Sequence, residues 1–562
     1  MNDYTYHPMH MHLHAGHQPG ASVESHMHNA AALGMHYIRI TSHDIRMGPH
    51  PLPCKSFDFK KGSLVYEDYP GSWCGWSEQF GAPEVCFDGS GMILSACSQT
   101  DEHRLDGYGF KTSAKRHTVS LLSDITLTLG LSCETFGDAH VIIDVTLSQR
   151  APDHLHAHLR YVFGKTQPSD QPHTAELPLS LSPDGIYRLE LTKDVQRDGI
   201  SAVVGGADNA FDSIAVLLET ENGGRASCRL TRFEIDTKYS YETVVAKQRK
   251  LAEEIGSRYN IKPFVTNEIS AAGQHKNCYS TKVPVIDYAA HGYSVTQEQA
   301  IEHVKRYGGI FSYNHPFEKY KRSVITPQEH PKIIRRDAEE FIKTKVYGAT
   351  LMEVGFAAGR DSFTLEEHLQ LWDLISLGGV FITGYGDSDS HFSTRNWFDG
   401  NNFAAWVAAP ADIPFPVGEE HFTDSMKAGR LYTGDPVFLK GAVKLCCGGK
   451  PMGAIITAEK AKTFTVSFAA DSVEKDSTIR IVVNGEEAHR FYAEEHSDKD
   501  GNVRFEFEVS NPLAVNFARV EMYNSDGRCI LLTNPIYFVR TDKFSGEIPE
   551  ERIYPTEKEA EE

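Results

Sequence analysis

Polar and apolar positions alternate from the start of the chain. In Met9-His10-Met11-His12-Leu13-His14 every second residue is an imidazole, and a period of two predicts a strand with all three histidines on one face. Ser22 to Leu33 follows, with Val23, Met27, Ala30 and Leu33 at helical spacing and Gly34 as a stop. Tyr37-Ile38-Arg39-Ile40-Thr41 is then a β-rich run that delivers Ser42-His43-Asp44 at its end. This reads as a strand, helix, strand unit, and in parallel α/β architectures functional side chains gather at the carboxyl ends of strands.

From 51 to 240 the pattern changes to short alternating segments such as Ile125–Leu129 and Val141–Val145, separated by Gly, Pro, Asp and Ser. That predicts an inserted all-β domain, a sandwich or jelly roll. His154, His156 and His158 also alternate there, without acidic company, and read as the wet face of a strand. A charged helix from Tyr241 to Arg258 returns the chain to α/β character. Further strands then end in Asn267-Glu268 and His275, in Asn314-His315-Pro316, in Glu353-Val354-Gly355, and in Gly384-Tyr385-Gly386-Asp387-Ser388-Asp389-Ser390-His391. Helices are expected from Thr296 to Tyr307, with a Thr296/Gln299 capping box, and from Thr364 to Ser376. Residues 437–540 alternate again, an immunoglobulin-like sandwich pattern, and 541–562 form a charged tail.

Composition narrows the partners. Across 562 residues, 76 acidic against 56 basic side chains give a net charge of −20, which repels phosphate backbones and argues against nucleic acid. Ten cysteines without a C-x-x-C pair read as buried thiols in a reducing compartment. No run is apolar enough to span a bilayer, and the polar amino terminus lacks a signal-peptide core, so a cytoplasmic location without membrane partners is expected. Ten of the 27 histidines fall in the first 50 residues, a density that points to metal.

The set H-x-H, T-x-H, an isolated Glu, N-H-P and D-x-H resembles the polymerase and histidinol phosphatase (PHP) superfamily of metallohydrolases, and within it the branch named for the carbaryl hydrolases. The resemblance spans about 7–50 and 256–436, including Gly429-Arg430-Leu431-Tyr432-Thr433-Gly434-Asp435-Pro436. It implies an α/β fold: a distorted (β/α)7 barrel built from 1–50 and 241–436, interrupted by the jelly-roll or sandwich insertion at 51–240 and followed by the sandwich at 437–540. It also implies two or three divalent metal ions. His12, His14, Glu268 and Asp389 would surround one, Glu268 would bridge to a second held by His275 and His315, and His43 and His391 would face a third. His10 and His12 are an alternative register for the first pair; a small residue after His14 favours His12 and His14. Two departures bear on the third position: Gln18-Pro19-Gly20 stands where the family has Ser-Asp-Gly, with His17 as a substitute ligand, and Thr41-Ser42-His43 replaces Thr-Asp-His.

Imidazole and carboxylate ligands without thiolate suit zinc, manganese or iron. The chemistry expected is hydrolysis by metal-activated water, with His43 or His275 exchanging protons and Arg46 and Arg360 gripping an anion. A small or glycan-linked phosphoester is the first substrate class, and a carbamate, ester or amide the second. A glycan-binding protein on the same scaffold is the alternative of another class, with Trp73 and Trp76 as a sugar platform.

Overall fold

The computed structural model describes every residue except 1–3, 17–19, 45–58, 60–70, 76–79, 113–119, 165–168, 239–240, 271, 292–294, 321–324, 357–361, 394–396, 398–402 and 556–562. The alternating amino-terminal run forms the strand Tyr4–Leu13, which pairs in parallel with Tyr37–Ile40; that strand in turn pairs in parallel with Lys262–Val265. Between the first two lies the helix Val23–Ala32, capped by the Ser22 hydroxyl, which accepts from the Ser25 N–H. The other edge of Tyr4–Leu13 pairs antiparallel with Ala404–Pro410. From there the sheet runs on through Leu431–Gly434 and Cys529–Thr533 into the carboxyl-terminal strands, twelve strands in all.

A second, three-stranded parallel sheet holds Ser312–Tyr313, Leu351–Phe356 and Thr383–Asp387. The helices His330–Thr344 and Leu365–Leu377 cover it, burying Ile334, Phe341, Trp372 and Ile375 against Met352, Val354 and Ile382. Capping boxes at Thr296/Gln299 and Thr364/Glu367 start the helices Gln297–Arg306 and Leu365–Leu377. Met9, Met11, Tyr37, Phe264, Tyr279, Leu351 and Tyr385 form a core between the two sheets. Apolar burial of this kind, worth ~1.5–3 kcal/mol per large side chain, fixes one sheet against the other and so brings their strand ends together.

The (β/α)7 barrel implied by the resemblance is not the fold. The described residues are mostly β, 42% strand against 22% helix, and the parallel strands that carry the expected site residues are divided between two sheets. Antiparallel Ala404–Pro410 occupies the edge of Tyr4–Leu13 where a parallel ring requires a parallel neighbour. Alternating strand and helix signals are local; whether a ring closes depends on which edge finds which partner, and that is a long-range outcome.

Among the described residues the inserted segment is all-β, and its nine strands are linked by hydrogen bonds. Its spine is a pair of 24-residue strands, Thr126–Gln149 and Ser213–Asp236, antiparallel along nearly their whole length. His158 is not a solvated imidazole: its Nδ1 lies 2.9 Å from Asp144, which also accepts from Arg160. At the carboxyl end a four-stranded sheet, including Thr463–Ala470 and Val503–Ser510, packs on the twelve-stranded sheet, so the sandwich expected there shares a layer with the strand that carries His12. Cys86 and Cys97 are exposed, against the expectation of buried thiols. Among the described residues no helix is long and apolar enough to cross a membrane.

Candidate metal centre

Five strand ends converge. His12 lies on Tyr4–Leu13 and His14 just beyond it; His43 follows Tyr37–Ile40; Glu268 is central in the short strand Asn267–Ile269; His315 follows Ser312–Tyr313; Asp389 and His391 follow Thr383–Asp387. His315 and Asp389 have φ of 28° and 45°, in the left-handed region that costs a non-glycine residue roughly 1–2 kcal/mol. Strain of this sort persists where surrounding structure over-determines it, and here it sits at two residues aimed at one cluster.

Nε2 of His12 is 3.0 Å from Nε2 of His14, 3.3 Å from Glu268 Oε1 and 3.3 Å from Asp389 Oδ1. His14 Nε2 is 2.8 Å from Asp389 Oδ1. Glu268 is the hub: its oxygens lie 2.6 Å from His43 Nδ1, 3.2 Å from His275 Nδ1 and 3.4 Å from His315 Nε2, and it accepts a hydrogen bond from Asn314 at 2.9 Å. His391 stacks on His14 with ring centroids 4.1 Å apart. The structure thus brings together His12, His14, His43, Glu268, His275, His315, Asp389 and His391. His10 points elsewhere, to Ser388 Oγ at 2.7 Å and the Trp397 ring at 4.8 Å, so the converging pair is His12 and His14. His17, Arg46, Arg360 and Trp76 lie outside the described residues, as does the side chain of Trp73.

Sets of three ligand atoms, His12/His14/Glu268, His12/His315/Asp389, His14/His43/His391 and His43/Glu268/His275 among them, lie within 4.8 Å of one another. Bonds of ~2.0–2.2 Å place the donors of one cation roughly 3–4 Å apart, so the spacing and the nitrogen and oxygen donor set fit divalent cations. The cluster is deepest at His12, His14 and Glu268, which are fully buried, and opens at His43 (12% exposed), His275 (27%) and His391 (24%).

Electrostatics says the same thing in protons. Burial disfavours charge on His12, yet the carboxylates of Glu268 and Asp387, with hydrogen bonds to Glu268 and Glu353, hold its pKa up at about 10. His315 is likewise held at about 9, against burial, by Glu353, Glu268 and Glu318. Glu268 stays ionised far below the usual carboxylate range: burial opposes this, but His275, His43 and His12 prevail. His14, buried and facing His391, His43 and His12, is pushed well below the ordinary imidazole value. Without cations the imidazoles beside these ionised carboxylates therefore hold protons, and a metal ion and those protons compete for the same ring nitrogens.

Residues absent from the sequence reading of the site hold the ligands in place. Glu353 Oε1 lies 2.8 Å from His12 Nδ1 and 3.1 Å from the Tyr385 hydroxyl, to which Tyr279 donates at 2.8 Å. Glu318 lies 2.6 Å from His315 Nδ1, and burial notwithstanding, His315 and His275 pull its pKa to about 2. Asp44 accepts from the N–H and hydroxyl of Ser270, each at 3.1 Å, tying the His43 loop to the chain after Glu268. Glu353, Asp387 and Asp44 do carry the signal shared by the other site residues, an acidic residue at or near a strand's carboxyl end; Glu318 announces itself only through contacts.

No family model matches the chain, and no curated protein matches it. Among solved structures it is similar to a family 12 xyloglucanase from Bacillus licheniformis, at 9% identity and TM-score 0.23 over 33% of this chain and 98% of that one. The endoglucanase cel12A from Rhodothermus marinus is another, at 11% identity and TM-score 0.22 over 33% and 96%. No argument about activity follows from likeness this slight.

Proposed function

We propose that the chain is a metal-dependent hydrolase that takes two or three divalent cations, zinc, manganese or iron, and acts on a small or glycan-linked phosphoester. One observation carries the reading: His12, His14, Glu268, His315 and Asp389, from four separate strand ends, aim nitrogen and carboxylate oxygen at a shared volume, with His43, His275 and His391 at its open side. The likeness of these motifs to PHP metallohydrolases supports it. Cations held there would polarise a substrate oxygen and acidify water.

The chain's own groups divide the remaining work. His12 presents Nε2 to the cluster because its Nδ1–H is turned to Glu353, which fixes the tautomer. Glu268 remains anionic and lies between both sets of imidazoles, so it can bridge. The partly exposed rings of His43 and His275 border solvent and are placed to move a proton between water, substrate and bulk. The net charge of −20 disfavours a polymeric anion as substrate and leaves small esters.

The test is the double variant His12→Ala/His14→Ala, assayed for bound metal and for turnover of a chromogenic phosphate beside a chromogenic carbamate and an anilide. Loss of both metal and turnover is expected, with the phosphate cleaved fastest by the unaltered chain. Turnover that persists in metal-free protein rejects the mechanism; preference for the carbamate or anilide moves the substrate class.

A further inference from the structure

The inserted sheet touches the candidate centre at the end of one of its two 24-residue strands. Gln149 closes Thr126–Gln149 and bonds to both loops that flank the stacked pair His14 and His391. Its backbone N–H donates to Gly20 O at 2.8 Å, and its carbonyl accepts from the Ser22 N–H at 3.2 Å and the Ser25 hydroxyl at 2.9 Å. Its side-chain Oε1 accepts from the N–H of Ser393 at 3.1 Å and from the Ser393 hydroxyl at 3.0 Å. The loops also bond each other, Ala21 N–H to His391 O at 3.0 Å and His14 N–H to Ser390 O at 3.0 Å. At Gly20, φ +125°, a Cβ would stand 2.1 Å from His391 O, so the two backbones are in direct contact there. Asp208, on the same inserted unit, accepts from the N–H groups of Val23 and Glu24 at 2.8 and 2.9 Å and anchors the helix that follows.

We propose that Gln149 is a positioning residue: it ties the loop after His14 to the loop after His391, so the inserted sheet sets the spacing of these two imidazoles. The proposal rests on reading His14, His43 and His391 as cation ligands. Its physical basis is that Ser393 is fully buried, so without the Gln149 oxygen its N–H loses its partner and the loop must shift to recover one. Ligand geometry tolerates displacements of only ~0.5 Å, which makes such a shift felt at the cations. A carboxylate oxygen accepts the same two bonds, so Gln149→Glu keeps the tie and Gln149→Ala removes it.

Two measurements on the full chain decide this. Hydrogen exchange on metal-free protein is expected to rise tenfold or more at the amides of Ala21 and Ser393 in Gln149→Ala, with the amides of the distant strand Val515–Tyr523 unchanged. Titration with Mn2+ is expected to show one class of site weakened by about 10–100-fold, the range for lost ligand-supporting contacts. Gln149→Glu restores both, and Ser393→Ala, which removes only the hydroxyl, shifts both less in the same direction. Exchange and Mn2+ affinity within twofold of the unaltered chain overturn the proposal, as does faster exchange with unchanged Mn2+ binding. If the unaltered chain takes up neither Mn2+ nor Zn2+, the hydrolase reading falls and this cation role with it, a result distinct from a defect confined to the variant.

Discussion

Glu353 holds His12 from behind, its Oε1 2.8 Å from the imidazole Nδ1, while its other oxygen accepts the backbone N–H of His315 at 2.6 Å. One carboxylate thereby sets both the tautomer of His12 and the position of His315. Glu353→Gln offers one acceptor and one donor where two acceptors are needed. We expect about 10–100-fold weaker binding of Mn2+ or Zn2+, read by calorimetric titration; equal affinity contradicts the arrangement.

Chelation gives a second prediction. Glu268, Glu353, Asp387 and Asp389 are all buried within the cluster, and cations that neutralise them bind the folded chain and not the unfolded one. At a free metal concentration 100 times Kd this linkage adds ~2.7 kcal/mol. Scanning calorimetry with Mn2+ against excess chelator is expected to show a higher Tm with metal, and identical transitions count against a resident ion.

The buried guanidinium of Arg39 donates to Glu419 at 2.9 Å and stacks 5.0 Å from the Phe264 ring centre. Burial works against ionised Glu419, but Arg39 and hydrogen bonds from Thr281 hold its pKa below the usual carboxylate range. A depressed folded-state pKa means that the unfolded chain binds the proton more readily. Its contribution is therefore complete above the unfolded value near pH 4.5 and is lost as pH falls through the folded one. Glu419→Gln should lower stability at neutral pH by about 3 kcal/mol and flatten this acid dependence, as urea unfolding at pH 7, 5 and 4 would show.

Trp397 donates its indole N–H to His26 Nδ1 at 3.0 Å, and the other ring nitrogen of His26 donates to the His14 carbonyl at 3.1 Å. Trp397→Phe keeps most of the packing but leaves a fully buried imidazole nitrogen without its donor. The expected loss is about 1–3 kcal/mol, measured by denaturant unfolding of the metal-free chain; no loss would mean that the ring alone matters.

Much of the local structure was legible in the residues: the alternating run that became Tyr4–Leu13, the capped helices at Ser22, Thr296 and Thr364, and the strand-end residues His12, His14, Glu268, His315 and Asp389. Each rests on spacing within a few residues, which backbone periodicity translates directly into a shared face or a cap. The closed barrel did not materialise, because strand pairing is settled by edges far apart in sequence. The same reason hid Glu318 and Gln149, whose roles exist only where separate loops meet. Sequence determined which chemical groups stand at the ends of which strands, since that is a matter of local pattern. Only the tertiary structure decided which strands lie side by side, which imidazole faces the cluster and which carboxylate supports it, since those follow from long-range burial and pairing.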